Sequence, residues 1–113
     1  MGTSNKTGLL SSYRVLDLSD EKGTICGLIL AQLGAEVIKV EFPTGGNERK
    51  KGPFAKGVEA PENSLFWSAF NRGKKGITLD LKSISGKDIL KKLVQNADIV
   101  WNHSLPGTYK TSD

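Results

Sequence analysis

Residues 13–41 read YRVLDLSDEKGTICGLILAQLGAEVIKVE, and this stretch decides the fold. Tyr13 to Leu18 (YRVLDL) is short and rich in strand formers, the pattern of a buried strand. Ile25, Leu28, Ile29 and Leu33 then recur at helical spacing, which predicts a helix over 23–33 with these four on its buried face. Gly34 stands where a helix C-terminal glycine belongs. Glu36 to Glu41 (EVIKVE) is a second strand, with Val37, Ile38 and Val40 apolar. Two strands joined through a helix are parallel, with a right-handed crossover.

Outward from this unit, 42–61 holds three of the four prolines and four of the 13 glycines, the composition of a long surface loop. Asn63 is placed to cap a short helix through Phe70 that turns Leu65, Phe66, Ala69 and Phe70 toward a core. Trp67 fits either the core or an interface. Ile77 to Leu81 (ITLDL) reads as a third strand. Ser85-x-x-Asp88, an acidic variant of the capping box, opens a helix whose apolar stripe is Ile89, Leu90, Leu93, Val94 and Ala97. Asp98 to Trp101 (DIVW) is a fourth strand, and a turn follows over 102–107. The fold class is therefore α/β: a Rossmann-like, doubly wound, mainly parallel sheet of at least four strands. Residues 13–107 form that unit, between a flexible N-terminal tail over 1–12 and a polar tail over 108–113.

The chain has 113 residues, enough for one domain, with a net charge of +4. From Arg49 to Lys75 lie seven basic residues (Arg49, Lys50, Lys51, Lys56, Arg72, Lys74, Lys75) against two acids, Glu59 and Glu62. That local excess fits either a polyanionic partner or a solvated loop. Cys26 is the single cysteine, so no internal disulfide forms and no metal cluster is built; it reads as a buried, inert thiol. No signal-peptide core stands at the N-terminus, and no apolar run approaches the ~20 residues of a membrane span. A reducing, cytoplasmic setting without membrane attachment is the expectation.

Ligands of open α/β sheets collect outside the carboxyl ends of the strands. Those ends are 19–22, 42–46, 82–83 and 102–104. The first turn leads into a helix N-terminus suited to an anion. It lacks G-x-G-x-x-G, and G-x-x-x-x-G-K-[ST] is absent, so neither a dinucleotide fingerprint nor a P-loop is present. His103 is the one histidine. Asp17, Asp80 and Asp98 read as strand residues with structural roles. No serine or cysteine stands in a nucleophile setting.

Taken together, the motifs are specific. VLDLS (15–19), a glycine-led helix and LGAEVIKVE (33–41) open the series. SLFWSAFNRGKKGITLDLKS (64–83), a lysine-rich helix ending in ADIV (97–100) and WNHSLPG (101–107) complete it. In this order and spacing they resemble the family III CoA-transferases, the CaiB/BaiF (carnitine and bile-acid) group, and are most similar to its benzylsuccinate-type branch. The resemblance implies the CoA-binding N-terminal part of a large domain, and a homodimer of interlinked rings or a companion chain completing the fold. It further implies acyl-CoA and carboxylate substrates, with coenzyme A carried as the thioester and no metal. In the transferases an aspartate attacks the donor thioester, and the acyl exchange passes through a mixed anhydride and an aspartyl-CoA thioester. No acid of this chain matches that aspartate, so the resemblance implies a chain without catalytic residues: a fragment, a broken gene product or part of a split enzyme.

Carried over residue by residue, Leu79, Asp80, Leu81 and Lys82 match the segment along the nucleotide end of CoA, and Asn102 matches the asparagine of the last strand-end turn. His103 and Ser104 occupy neighbouring contact positions but depart from the usual phenylalanine and small residue. Glu21 and Lys22 fall in the first-turn contact, here one residue shorter. Phe42 stands where some members place a phosphate-binding arginine, and Lys74 and Lys75, or the Arg49 cluster, are candidates for the missing charge. Two readings of other classes remain: a non-catalytic CoA-binding or interaction subunit, and a nucleic-acid-binding module using the basic segment. The second has no RNA-binding consensus and only eight aromatics, so a nucleic-acid partner is not expected.

Overall fold

A computed structural model describes residues 8–102. Four strands, β1 (Arg14–Asp17), β2 (Glu36–Glu41), β3 (Lys75–Thr78) and β4 (Ile99–Trp101), form one sheet in the order β3-β2-β1-β4. Every pairing is parallel. Helices α1 (Thr24–Gln32), α2 (Leu65–Phe70) and α3 (Ile84–Gln95) lie between them in the chain. The order is that of the first four strands of the common 3-2-1-4-5-6 Rossmann arrangement. The expected doubly wound class is what the chain adopts.

Strand alternation sorts the core into two layers. Val15 and Val37 are register partners and join Ala35, Leu10, Leu30 and Ala31 on the face that carries α1. Leu18, Val40 and Leu79 pack with Ile77, Leu81, Leu90 and Leu93, which places α3 on the opposite face. Helices thus cover both faces, as a parallel sheet requires. Leu10 docks through its N–H on Leu33 O (2.9 Å), so the stretch before β1 touches the first core layer.

Several elements depart from the sequence expectation, each for a local reason. The buried residues of α1 are Thr24, Gly27 and Leu28, while Ile25, Ile29 and Leu33 are exposed. The helix turns Thr24 and Gly27 inward because these two cover a buried ion pair. Gly34 does close the helix, with φ +105°. The cap of α2 is Ser64, whose Oγ accepts from Trp67 N (3.1 Å), whereas Asn63 ties the preceding loop through Val58 O. Leu65 and Ala69 are exposed, and Phe66 and Phe70 pack on one another with centroids 4.6 Å apart. Ser83 caps α3 by accepting from Gly86 N (2.9 Å), two residues before the expected Ser85. On α3, Leu90 and Leu93 reach the core but Ile89 and Val94 are exposed. Cys26 is half-buried rather than enclosed.

β3 is shifted toward the N-terminus of ITLDL, because its pairing with β2 starts at Ile38 and Lys75 and ends at Glu41 and Thr78. Leu79 to Lys82 therefore form the turn from β3 into α3. Asp80 and Asp98 likewise lie outside the strands, and only Asp17 is a strand residue.

At the opposite, amino edge, Glu36 bonds both Arg14 Nε (2.6 Å) and Lys75 Nζ (2.5 Å). The Lys75 and Arg14 hydrogen bonds lower its carboxyl from an ordinary 4.5 to about 2. A carboxyl depressed on folding stabilises the fold above its unfolded value and loses that contribution as pH falls toward the folded one. Between pH 5 and pH 3 the urea midpoint of the wild type should fall further than that of Glu36→Gln. The difference should be modest and salt-sensitive, since Arg14 and Lys75 face solvent. Parallel declines would show that these pairs do not matter.

Candidate functional site

The carboxyl edge of the sheet is where the strand-tip turns gather. The chain leaves β2 toward β3 on one side of β1 and returns after β3 to β4 on the other, so the switch point lies between β1 and β4. At that point Asp20 makes a tight turn, its Oδ1 accepting from Lys22 N (2.9 Å) and its carbonyl from Gly23 N (3.1 Å). Glu21 follows Asp20, with Oε1 buried and without a hydrogen-bond partner among the described residues. Lys22 is exposed. Asn102 ends β4 on the same edge and is exposed.

Two strands over, Leu79 is buried and continues the ladder through Glu41 O (2.9 Å). Asp80 folds the next turn as Asp20 does the first, with Oδ1 accepting from Lys82 N (3.0 Å). Leu81 packs inward, while Lys82 is exposed and its ammonium has no ion-pair partner among the described residues. Tips two strands apart are separated by about 10 Å. Glu21, Lys22, Asn102 and 79–82 thus share one edge. His103 and Ser104 lie outside the described residues.

Lys74 and Lys75 are elsewhere. Lys75 is at the start of β3 and reaches back to Glu36 at the amino edge, opposite the strand tips. Lys74 is inside, its side chain 1% exposed. Its ammonium lies 2.7 Å from Asp17 Oδ2 and donates to Thr24 O (2.9 Å), Thr24 Oγ1 (3.0 Å) and Asn71 Oδ1 (2.9 Å). Burial lowers its pKa from the ordinary lysine value, against the upward pull of Asp17. Arg49 is engaged too: Nε and Nη2 grip both oxygens of Glu41 (2.8 and 3.0 Å), and the guanidinium stacks 3.8 Å over the Trp67 ring. Three of the seven bases from Arg49 to Lys75 are thus paired with acids from outside that segment. Part of the local charge excess is a structural network, and Arg49 itself is not a free cation.

Sequence reasoning missed the residues that build this interior. Lys39 stands opposite Asp17 in register, and both are essentially buried. Lys39 Nζ donates to Ser19 O (2.7 Å), pairs with Glu48 Oε2 (2.6 Å) and lies 3.7 Å from Asp17 Oδ1. Asn71 Nδ2 donates to Glu48 Oε1 (2.9 Å) and closes the ring. Two cations meet two anions, the arrangement that makes buried charge tolerable. The available signal was alternation: Asp17 and Lys39 occupy inward positions beside Val15 and Val37.

The described residues contain no group of three or more side chains suited to a metal, and none of their helices is long and apolar enough to cross a membrane. The profile of CoA-transferase family III matches residues 10–112, nearly the whole chain. The chain belongs to CoA-transferase family III. Among the curated family III proteins, the BbsE subunit of succinyl-CoA:(R)-benzylsuccinate CoA-transferase from Thauera aromatica is 34% identical over 86% of this chain and 24% of its own length. A protein named as a probable fatty acyl-CoA transferase, from Mycobacterium tuberculosis, is 38% identical over 96% of this chain and 27% of its own. A crystal structure of a CaiB/BaiF family protein from Brucella suis superposes with a TM-score of 0.74 at 34% identity, over 84% of this chain and 25% of that one. The family III chain described here spans about a quarter of the length of these relatives.

Proposed function

We propose that this chain forms the CoA-binding strand tips of an enzyme that moves CoA between an acyl-CoA and a carboxylic acid. The observation that carries the reading is the shared carboxyl edge of a parallel sheet, with the Asp20–Gly23 turn and Asn102 at the switch point and the Leu79–Lys82 turn two strands away. Supporting it are relatives named for acyl-CoA transfer. Glu21, Lys22, Leu79 to Lys82 and Asn102 are the proposed contacts, joined by His103 and Ser104 on the resemblance of the WNHSLPG turn to that of the family. Lys22 and Lys82 are the cations of these turns, in place of Lys74 and Lys75. The family nucleophile is proposed to come from a companion segment or subunit, which would also cover exposed apolar residues such as Ile89 and Val94. Some relatives are named as subunits, which supports an assembly of more than one chain.

Calorimetry on the 113-residue chain should detect weak CoA binding. Charge-assisted phosphate contacts are worth about 1.5–3 kcal/mol each. The pair Lys22→Glu and Lys82→Glu should therefore weaken binding by at least about tenfold. The chain alone should show no CoA transfer between succinyl-CoA and carboxylate acceptors. Absence of heat with millimolar CoA, or an unchanged affinity in the double variant, would sink the proposed site. Turnover by the isolated chain would overturn the assignment of the nucleophile elsewhere. For the nucleic-acid reading, Arg49, Lys74 and Lys75 are engaged by acids, which leaves Lys50, Lys51, Lys56 and Arg72 as the bases it would use.

A further inference from the structure

We infer that Lys39, Lys74 and Trp101 are positioning residues that fix the turn between β1 and α1 in advance of ligand binding. The inference rests on the functional reading above, in which that turn meets CoA. Between Ser19 and Thr24, three backbone carbonyls are each held by a side chain from a different part of the fold. Lys39 Nζ, from β2, donates to Ser19 O at 2.7 Å. Trp101 Nε1, from β4, donates to Gly23 O at 2.8 Å. Lys74 Nζ, from the residue before β3, donates to Thr24 O at 2.9 Å.

A strand-tip turn ordinarily leaves such carbonyls to water, and its backbone samples several conformations. Here the start of the turn is tied to β2, its last residue Gly23 to β4, and the first helical residue Thr24 to the approach to β3. The two ammonium donors cannot swing away, because Glu48 and Asp17 hold them in the interior. The carbonyls consequently face the protein, and a ligand meets a turn that needs no ordering. Binding to a preorganised turn avoids the entropy cost of fixing those residues.

The discriminating variant is Trp101→Phe in the full chain, which keeps an aromatic ring at this partly buried position and removes the indole N–H. CoA affinity should fall about tenfold and amide exchange over 21–24 should accelerate about tenfold, while the urea midpoint stays near wild type. Lys39→Met is the second arm and should give the larger exchange effect at 19–21 if it folds. Unchanged affinity and exchange in Trp101→Phe overturn the inference. So does an affinity loss matched by global destabilisation without local exchange, the signature of a merely structural tryptophan. If the wild-type chain binds no CoA, the functional reading falls alone, and the exchange comparison still decides whether the turn is clamped.

Discussion

Asp17→Ala should lose about 3–5 kcal/mol of stability, the usual cost of removing one partner from a buried ion pair. Asp17 is fully buried and accepts from Ser19 N (2.9 Å), Ser19 Oγ and Lys74 Nζ (2.7 Å). Without its carboxylate, Glu48 alone would balance two ammonium groups, Lys39 and Lys74, in the interior. Native proteins have only about 5–15 kcal/mol in total, so the variant should keep a fraction of its stability and unfold at a much lower urea concentration. Asp17→Leu combined with Lys74→Met should recover part of the loss, since apolar replacement of a whole buried pair is often neutral. Urea melts of the three proteins read this directly. An Asp17→Ala midpoint within error of wild type would mean that solvent reaches the site and the ring is not closed.

Gly27→Ala sets two effects against each other and should also be destabilising. Helix propensity alone favours alanine by about 0.8–1.0 kcal/mol at this interior position of α1. Sterics oppose it: an added Cβ would press on Asp17 Oδ2 and sit 3.1 Å from Lys74 Cε. Neither neighbour can yield without loosening the hydrogen bonds that fix it. Overpacking a fixed interior costs about 1–3 kcal/mol, so a net loss of about 0–2 kcal/mol is expected. A stabilised Gly27→Ala protein would show that α1 can lift from the ion pair at little cost, and the fixed contact described above would then be wrong.

Both results turn on charges that the sequence conceals. Strand, helix and strand over 13–41 were legible because Val15, Leu16, Val37 and Val40 carry their own pattern, and Gly34 marks the end of α1. Which face of α1 is buried was not legible. Ile25 and Ile29 dominate any hydrophobic count, yet Thr24 and Gly27 face inward because the partner beneath them is Asp17 with Lys74. The caps were misplaced by one and two residues where two cap-forming side chains compete. Asn63 bonds a loop carbonyl and leaves the cap to Ser64, and Ser83 precedes Ser85.

Motif order picked out Leu79 to Lys82, which the structure has at a strand-tip turn, whereas local charge gave no guide to where Lys74 and Lys75 lie. Lys74 and Lys75 are neighbours in sequence, but one enters the interior and the other reaches the amino edge. Counting bases along the chain could not foresee that Asp17, Glu36 and Glu41 would engage Lys74, Lys75 and Arg49.

The sheet order also has a consequence for biosynthesis. Of the four described strands β1 leaves the ribosome first, yet one of its two flanks is completed only by Ile99–Trp101, with Arg14 N bonded to a side chain 84 positions away. At about 5–20 residues per second, β1 waits roughly 4–17 s for that second partner. Throughout that interval its open flank is a template for any extended segment nearby, so chaperone demand from this flank should be greatest before β4 is made.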